Sequence, residues 1–199
     1  MIVDVNVNLS RWPFRRTPCD EPQRLVETLR RGGVSEAWAG TLDALFHRDL
    51  AAANARLAHE CSKWGAGLLV AFGSVTPMLP DWTADLGRCR EVHQMPGIRL
   101  HPNYHGYRLG DPAFAQLLRQ SAQHRLIVQV VLRMEDVRVQ HPLMSVPDVD
   151  LAPLAKLLTD LPAVRLVLLN VSRANGLEQL RALAALPSVY FDFAMWEGI

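Results

Sequence analysis

The sequence predicts an α/β protein with a parallel β-sheet. Short runs of β-branched and apolar residues alternate with longer stretches of helical periodicity along the whole chain. Some runs, such as the LVLL of residues 166–169, are apolar at every position, as expected for strands buried on both faces. No linker or low-complexity segment divides the 199 residues. We therefore expect a single domain over residues 1–199.

The predicted elements alternate strictly. We expect seven strands, over residues 2–9, 35–42, 67–75, 97–101, 126–134, 165–171 and 189–194. Six helices are expected between them, over 21–31, 48–64, 82–93, 112–123, 151–161 and 177–186. Asp81 and Asp111 stand where helix N-caps belong, and Pro112 suits a first helical turn. The pair Gly32-Gly33 ends the first helix.

Such alternating units either close into a barrel or form an open, doubly wound sheet, and composition does not choose between the two. The predicted strand count stops one short of the eight of a closed barrel. Seven strands leave two unpaired edges, which proteins normally cover. We therefore expect this chain to be a C-terminally truncated form of a longer protein.

Composition and charge exclude several classes of function. The 21 Lys and Arg residues nearly balance the 20 Asp and Glu residues, so we expect binding to neither nucleic acid nor an anionic membrane. The cysteines, Cys19, Cys61 and Cys89, lack metal-type spacing and are expected to be reduced, structural thiols. Without a signal peptide or a membrane-spanning run, we expect a cytoplasmic protein. Its expected partner is a small-molecule substrate, and a homo-oligomer is compatible with the sequence.

Three segments resemble a known group of enzymes. The VDVNVNL of residues 3–9 resembles the first strand of the amidohydrolase superfamily, where a D-x-H-x-H pattern supplies two metal ligands. The GIRLHPNY of residues 97–104 is similar to the fourth strand of the amidohydrolase-related group. That group includes aminocarboxymuconate semialdehyde decarboxylase, resorcylate decarboxylases, and sugar and pyrone lactonases. The YFDFA of residues 190–194 fits the seventh strand.

The resemblance implies a (β/α)8 TIM-barrel fold, with seven strands present and the eighth unit missing from this chain. It also implies a site at the C-terminal ends of the strands, where barrel enzymes place their chemistry. We expect parallel strands in sequential order, with the helices outside. A strand-order reversal would instead indicate a doubly wound sheet.

The positions that hold the family's metal ligands are altered in this sequence. By the resemblance, the two first-strand histidines are replaced by Asn6 and Asn8, the fifth-strand histidine by Val131 and the sixth-strand histidine by Asn170. The eighth-strand aspartate would lie beyond residue 199. Because a carboxamide is a weak ligand and valine has no donor atom, we predict no cofactor. A divalent metal such as zinc would bind only if the family site survives in altered form.

The three asparagines have two interpretations. They satisfy the polar interior of a barrel mouth that has lost its metal, or they bind a substrate carbonyl or carboxylate directly. In either case we expect Asn6, Asn8 and Asn170 to converge in the mouth of the barrel.

Further candidates lie in the loops that follow the strands. Arg11 and Trp12 follow the first strand, where Arg11 can clamp a carboxylate and Trp12 can wall the pocket. The alternative interpretation is that the aromatic side chains of this loop serve packing. The segment after the fourth strand is dense in titratable groups, which could serve as acid, base or anion donor near neutral pH. The alternative interpretation is that these residues form a rigid turn and satisfy backbone groups. The predicted catalytic residues are His101, His105 and His141, and the remaining predicted substrate-binding residues are Asn103, Tyr104, Arg133 and Arg173.

Two hypotheses follow. The first is an amidohydrolase-like hydrolase, or a related lyase or lactonase, that acts on a small carboxylate- or lactone-bearing molecule. Arg11, His101, His105 and Arg133 should then approach one cavity. The second is an inactive barrel used for ligand binding or assembly. In that case the same loops collapse, and aromatic side chains fill the mouth, namely Trp12, Phe14 and Tyr104.

Overall fold

A computed structural model describes residues 1–136, 138–144 and 146–196 of the protein. Its strands are β1 (Ile2–Leu9), β2 (Val34–Thr41), β3 (Leu69–Ser74), β4 (Gly97–Leu100), β5 (Ile127–Val131), β6 (Arg165–Leu169) and β7 (Val189–Phe191). Its helices are α1 (Pro22–Arg31), α2 (Leu50–Gly65), α3 (Trp82–Glu91), α4 (Pro102–His105), α5 (Pro112–Gln123), α6 (Leu154–Thr159) and α7 (Leu177–Ala184). None of these helices is both long enough and apolar enough to cross a bilayer.

The strands form one parallel sheet in the order β1-β2-β3-β4-β5-β6-β7. This sequential order confirms the prediction of a barrel-type fold and excludes a doubly wound sheet, which requires a reversal of strand order. The sheet curls into an incomplete barrel. Its curvature brings β1 close to the end of β7, where the Asn6 side chain donates a hydrogen bond to Asp192.

The main hydrophobic core lies between the outer face of the sheet and the helices. Strand residues such as Ile98, Val128 and Leu166 pack there against helix residues such as Leu86 and Leu117. A smaller cluster joins β1 and β2 to α1 and α2. On the inner face of the barrel, Trp38 stacks on Phe72 with ring centroids 4.7 Å apart. Next to this stack, the inner-face residues Val5, Ile127 and Val167 line a cavity of about 360 Å³ together with Trp38.

The element boundaries differ from the predictions mainly around β4 to α6. Strand β4 ends at Leu100, and residues 102–105, which were expected in the loop after this strand, form the short helix α4. Pro102 suits the first turn of this helix, and Gly106, with φ of 73°, ends it. Helix α6 begins at Leu154, three residues later than predicted. Asp111 precedes α5, but its carboxylate accepts from the backbone N–H of Arg108 and does not cap the helix.

Candidate functional site

The barrel interior contains a fully buried arginine. Arg99 lies on β4 and is 1% exposed. Its Nε donates to Gln129 Oε1 over 2.8 Å. Its Nη1 donates to Val7 O and Asn8 Oδ1, and its Nη2 donates to Val5 O and Trp38 O. A guanidinium has five N–H donors, so every donor of Arg99 has a partner.

The backbone of β1 is shaped to receive this side chain. Between Asp4 and Val7 the register of β1 against β2 shifts by one residue, as in a β-bulge. The carbonyl of Val5 within this bulge accepts from both Arg99 and Gln129. On β2, Gly40 leaves room for the arginine, since a Cβ at this position would lie 2.8 Å from Arg99 Cδ and Nη1.

No carboxylate forms an ion pair with Arg99 within the described residues. Burial lowers the pKa of Arg99 to about 9, and the negative charges of Asp4 and Asp192 oppose this shift. The side chain is therefore protonated at neutral pH and places a fixed positive charge beneath the mouth of the barrel.

Asn6, within β1, forms a polar cluster with Asn170 and Asp192, which directly follow β6 and β7. The Nδ2 of Asn6 donates to Asn170 Oδ1 and to Asp192 Oδ2, both over 2.7 Å. Asp192 Oδ2 also accepts from the backbone N–H of Asn170, and Asn170 Nδ2 donates to Arg133 O. Asn170 has φ of 60°, a left-handed conformation that asparagine adopts more readily than most residues. The structure thus brings Asn6 and Asn170 together, whereas Asn8 bonds Arg99.

A buried histidine, His101, and a part-buried one, His105, follow β4. Their rings lie edge to face with centroids 5.9 Å apart. Burial holds the pKa of His101 well below its usual range, and the neighbouring His105 and Arg99 add to this effect. Burial also lowers the pKa of His105. Both rings are therefore neutral at pH 7.

The ring nitrogens of this pair are only partly used. His105 Nε2 lies 2.9 Å from the carbonyl oxygen of Ala44, so Nε2 carries the proton and Nδ1 has a free lone pair. The Nδ1 atoms of both His101 and His105 are buried and have no hydrogen-bond partner in the described part of the chain. A buried polar atom without a partner requires an explanation. At a barrel mouth, one explanation is a ligand that supplies the missing bond.

Aromatic residues from the segments that follow β1, β2 and β4 form a group that we call the aromatic cover: Trp12, Phe14, Phe46 and Tyr104. Trp12 lies edge to face with both phenylalanines, at centroid distances of 5.9 and 5.8 Å, and Phe46 lies 6.0 Å from Tyr104. Trp12 is 6% exposed and also packs with Leu42 and Leu45, whereas both phenylalanines are exposed. Trp12, Phe14 and Tyr104, the three residues named in the hypothesis of an inactive barrel, thus belong to one aromatic cluster, in which Phe14 stays 44% exposed.

The predicted arginines do not meet at one cavity, which differs from the expectation of a shared anion site. Arg11 lies at the surface in an ion pair with Glu21, and Arg133 pairs with Asp148. Arg173 is exposed and lies over the Trp196 ring, 5.8 Å from its centroid. The physical reason is that each arginine has a local partner. Arg11 and Arg133 each have a carboxylate within reach, and Arg173 has the face of an aromatic ring.

The other predicted site residues lie at the edge of the mouth. His141 is exposed and stacks on Phe14, with centroids 5.4 Å apart. Asn103 donates to Pro147 O over 3.0 Å. It lines a cavity of about 760 Å³ that also borders Tyr107 and Asp148. This cavity is separate from the polar cluster, since none of the cluster residues lines it.

The residues at the family's ligand positions do not fit a divalent metal. Asn8 Oδ1 is occupied by Arg99, Asn6 and Asn170 bond each other, and Val131 has no donor atom. The described residues contain no group of three or more His, Cys, Asp and Glu side chains that could hold a metal ion. Three neutral amides and a valine thus stand where the resemblance places imidazoles, which such an ion prefers.

The sequence-based prediction assigned no role to three residues of the site: Arg99, Gln129 and Asp192. A signal for the first two was present, because a charged or amide side chain stands within each of the apolar runs GIRL and IVQVV. A polar residue at an inward position of a buried strand must find partners inside the protein.

Comparison with known proteins agrees with the observed architecture. No curated protein sequence matches the chain at a significant level. Among solved structures, the 5-carboxyvanillate decarboxylase of Novosphingobium aromaticivorans, solved with bound manganese, matches with a TM-score of 0.64 and 13% identity over 85% of this chain and 66% of its own. The 2,6-dihydroxybenzoate decarboxylase from Rhizobium matches with a TM-score of 0.64 and 14% identity over 88% of this chain and 67% of its own.

A TIM-barrel protein from Bordetella bronchiseptica also matches, with a TM-score of 0.64 and 14% identity over 96% of this chain and 74% of its own. The chain spans about two thirds of the length of the two decarboxylases. At these identities the structures show a shared fold. The sequence model of the family described as Amidohydrolase matches residues 9–199. With nearly the whole sequence matched and the strand order of the barrel in place, the chain belongs to the amidohydrolase family.

Proposed function

We propose that this protein is an amidohydrolase-related enzyme that cleaves a small carboxylate- or lactone-bearing molecule at the barrel mouth without the family's usual metal. Membership of the family supports an enzyme of this class. Two structural neighbours are named as decarboxylases of small aromatic carboxylates. The observation that carries the proposal is the buried, neutral His101, whose Nδ1 has no partner in the described residues.

In the proposed reaction, His101 acts as a general base. A neutral imidazole accepts a proton from a water molecule as the water oxygen attacks the carbonyl of the substrate. The carbonyl oxygen gains negative charge, which the nearby fixed charge of Arg99 stabilises through space. The bond to the leaving oxygen then breaks, and that oxygen takes the proton back from His101.

The other residues have supporting roles in this proposal. Asn6 and Asn170 are held by Asp192 and border the mouth, where a substrate carbonyl can be oriented. His105, with a free Nδ1, is a second candidate for proton transfer. Trp12 and Tyr104, which pack in one apolar cluster, form apolar walls of the pocket.

A direct test is an activity screen of the full chain on lactones and aromatic carboxylic acids after exhaustive dialysis against a chelator. We expect turnover without added metal and its loss in His101→Gln. The control is His59→Gln, because His59 is exposed on α2. Turnover that requires added Mn²⁺ or Zn²⁺, or that survives in His101→Gln, would contradict the proposal.

A second candidate function is a non-catalytic barrel that binds a ligand or a partner. The mutual packing of the aromatic cover and the ion pairs of Arg11 and Arg133 favour it. Ligands from the same screen that raise the unfolding temperature without being converted would indicate this function. Arg133→Met tests recognition of an anion, since loss of a hydrogen bond to a charged group should weaken binding by about 1.5–3 kcal/mol.

A further inference from the structure

We propose that Arg99 is a built-in cation that takes the structural place of a divalent metal at β1 and prevents such a metal from binding there. This inference goes beyond the proposed activity and does not depend on it. It concerns how the barrel mouth is held together, and its tests measure metal binding and unfolding.

The first argument is connectivity. A metal ion in a barrel mouth links side chains from several strands, and Arg99 does the same through hydrogen bonds. From β4 it reaches β1, β2 and β5 with its five N–H groups. Because Arg99 is covalently part of β4, this link is present in every folded molecule.

The second argument is occupancy. The Asn8 oxygen, which is the only atom of that carboxamide suited to bind a cation, accepts from Arg99 Nη1 over 2.9 Å. A divalent ion at this position would lie next to the positive guanidinium, and like charges at short range in a buried site repel strongly. The ion would also displace the hydrogen bond between Arg99 and Asn8, which would leave one N–H group of Arg99 without an acceptor.

The third argument is accommodation by the surrounding chain. Gly40 lacks the Cβ that would collide with the arginine, and the bulge in β1 turns the Val5 carbonyl toward Arg99 and Gln129. These features lie on β1, β2 and β5 and all serve the same side chain. They are expected of a site built around a guanidinium.

The decisive experiment restores imidazoles to β1. The full chain carrying Asn6→His and Asn8→His is compared with the same double variant carrying Arg99→Met, and Zn²⁺ binding is measured by calorimetry. We expect the variant that retains Arg99 to bind Zn²⁺ about tenfold more weakly, a difference of about 1.4 kcal/mol. Arg99→Lys in the same background keeps the charge and should also bind weakly. Equal affinity with Arg99 and with Met at this position would overturn the proposal.

A second measurement uses the natural sequence and is independent of how the triple variants fold. Adding Mn²⁺ or Zn²⁺, or removing metal with EDTA, should leave the urea midpoint of unfolding unchanged. Arg99→Lys should lower that midpoint, because an ammonium has three donors where the guanidinium has five. The control Arg56→Lys alters an exposed ion pair with Asp43 and should have little effect. A metal-dependent rise in the midpoint, or an unchanged midpoint in Arg99→Lys, would contradict the proposal.

Discussion

The side chain of Asn6 donates to Oδ2 of Asp192 over 2.7 Å, a contact that joins β1 to the segment after β7 across 186 residues of sequence. The same carboxylate oxygen accepts from the backbone N–H of Asn170. Removing this carboxylate would leave two part-buried donors short of a partner. We expect Asp192→Ala to lower the free energy of unfolding by about 1–3 kcal/mol, the usual cost of unsatisfied buried groups.

Two further variants make this prediction specific. Asp192→Asn retains an acceptor oxygen and should lose less stability than Asp192→Ala. Asp160→Ala, at the exposed end of α6, should change the free energy of unfolding by no more than about 0.5 kcal/mol. Equal losses in Asp192→Ala and Asp160→Ala would show that the contact with Asn6 contributes nothing.

The buried His101 predicts a pH dependence of stability. Its pKa is lowered in the folded state, first by burial and then by His105 and Arg99, whereas its usual value is 6.5. The unfolded chain therefore binds a proton below pH 6.5 that the folded chain does not bind. Stability is fully present above this pH and is lost as the pH falls.

Urea unfolding between pH 8 and about pH 5 measures this effect. We expect the free energy of unfolding to decline below pH 6.5, and to decline less steeply in His101→Gln. His105, whose pKa is also lowered by burial, should account for part of the remaining slope. His59→Gln, on an exposed part of α2, serves as the control. An identical slope in His101→Gln and in the natural sequence would argue against a neutral, buried His101.

The cysteines predict a pattern of chemical labelling. Burial raises the pKa of both Cys61 and Cys89 to about 12, so neither forms a thiolate at pH 8 in the folded protein. Cys19 is only partly buried. Iodoacetamide should therefore modify Cys19 alone in the native state and all three thiols in denaturant, as read by mass spectrometry. If iodoacetamide modifies the folded Cys19→Ser variant, Cys61 or Cys89 has become accessible on the timescale of the reaction, which would contradict the prediction.

The order of the strands was predictable because it depends on local pattern. Runs such as LVLL at residues 166–169 must be covered on both faces, and alternation with helices leaves few ways to do this. The resemblance at residues 3–9 and 97–104 then selected a barrel over an open sheet. Neither step requires knowledge of contacts between distant residues.

The interior of the mouth was less predictable because it depends on such contacts. Arg99 bonds Val7 O across 92 residues of sequence, and no local pattern shows that its partners are backbone carbonyls freed by a bulge. Arg11 and Arg133 were predicted to bind an anion, but each pairs with a carboxylate of this chain. Charge indicates that an arginine needs a partner and does not indicate which one.

The last prediction concerns Gly97 on β4, two residues before Arg99 on the same inward-facing side of the strand. A Cβ at this position would overlap the Phe72 ring and the carbonyl oxygen of Ile127. The ring is held by its stack on Trp38, and the carbonyl belongs to β5, so neither can move without disturbing the barrel interior. We expect Gly97→Ala to lower the free energy of unfolding by about 1–3 kcal/mol, as overpacking does in other cores.

Gly87→Ala in α3 is the matched control, because its Cβ would meet nothing within 4 Å, and alanine should stabilise that helix by up to about 1 kcal/mol. Urea unfolding of the two variants should thus give shifts of opposite sign, and a stabilising shift in Gly97→Ala would show that the inner packing of β3 and β4 differs from that described.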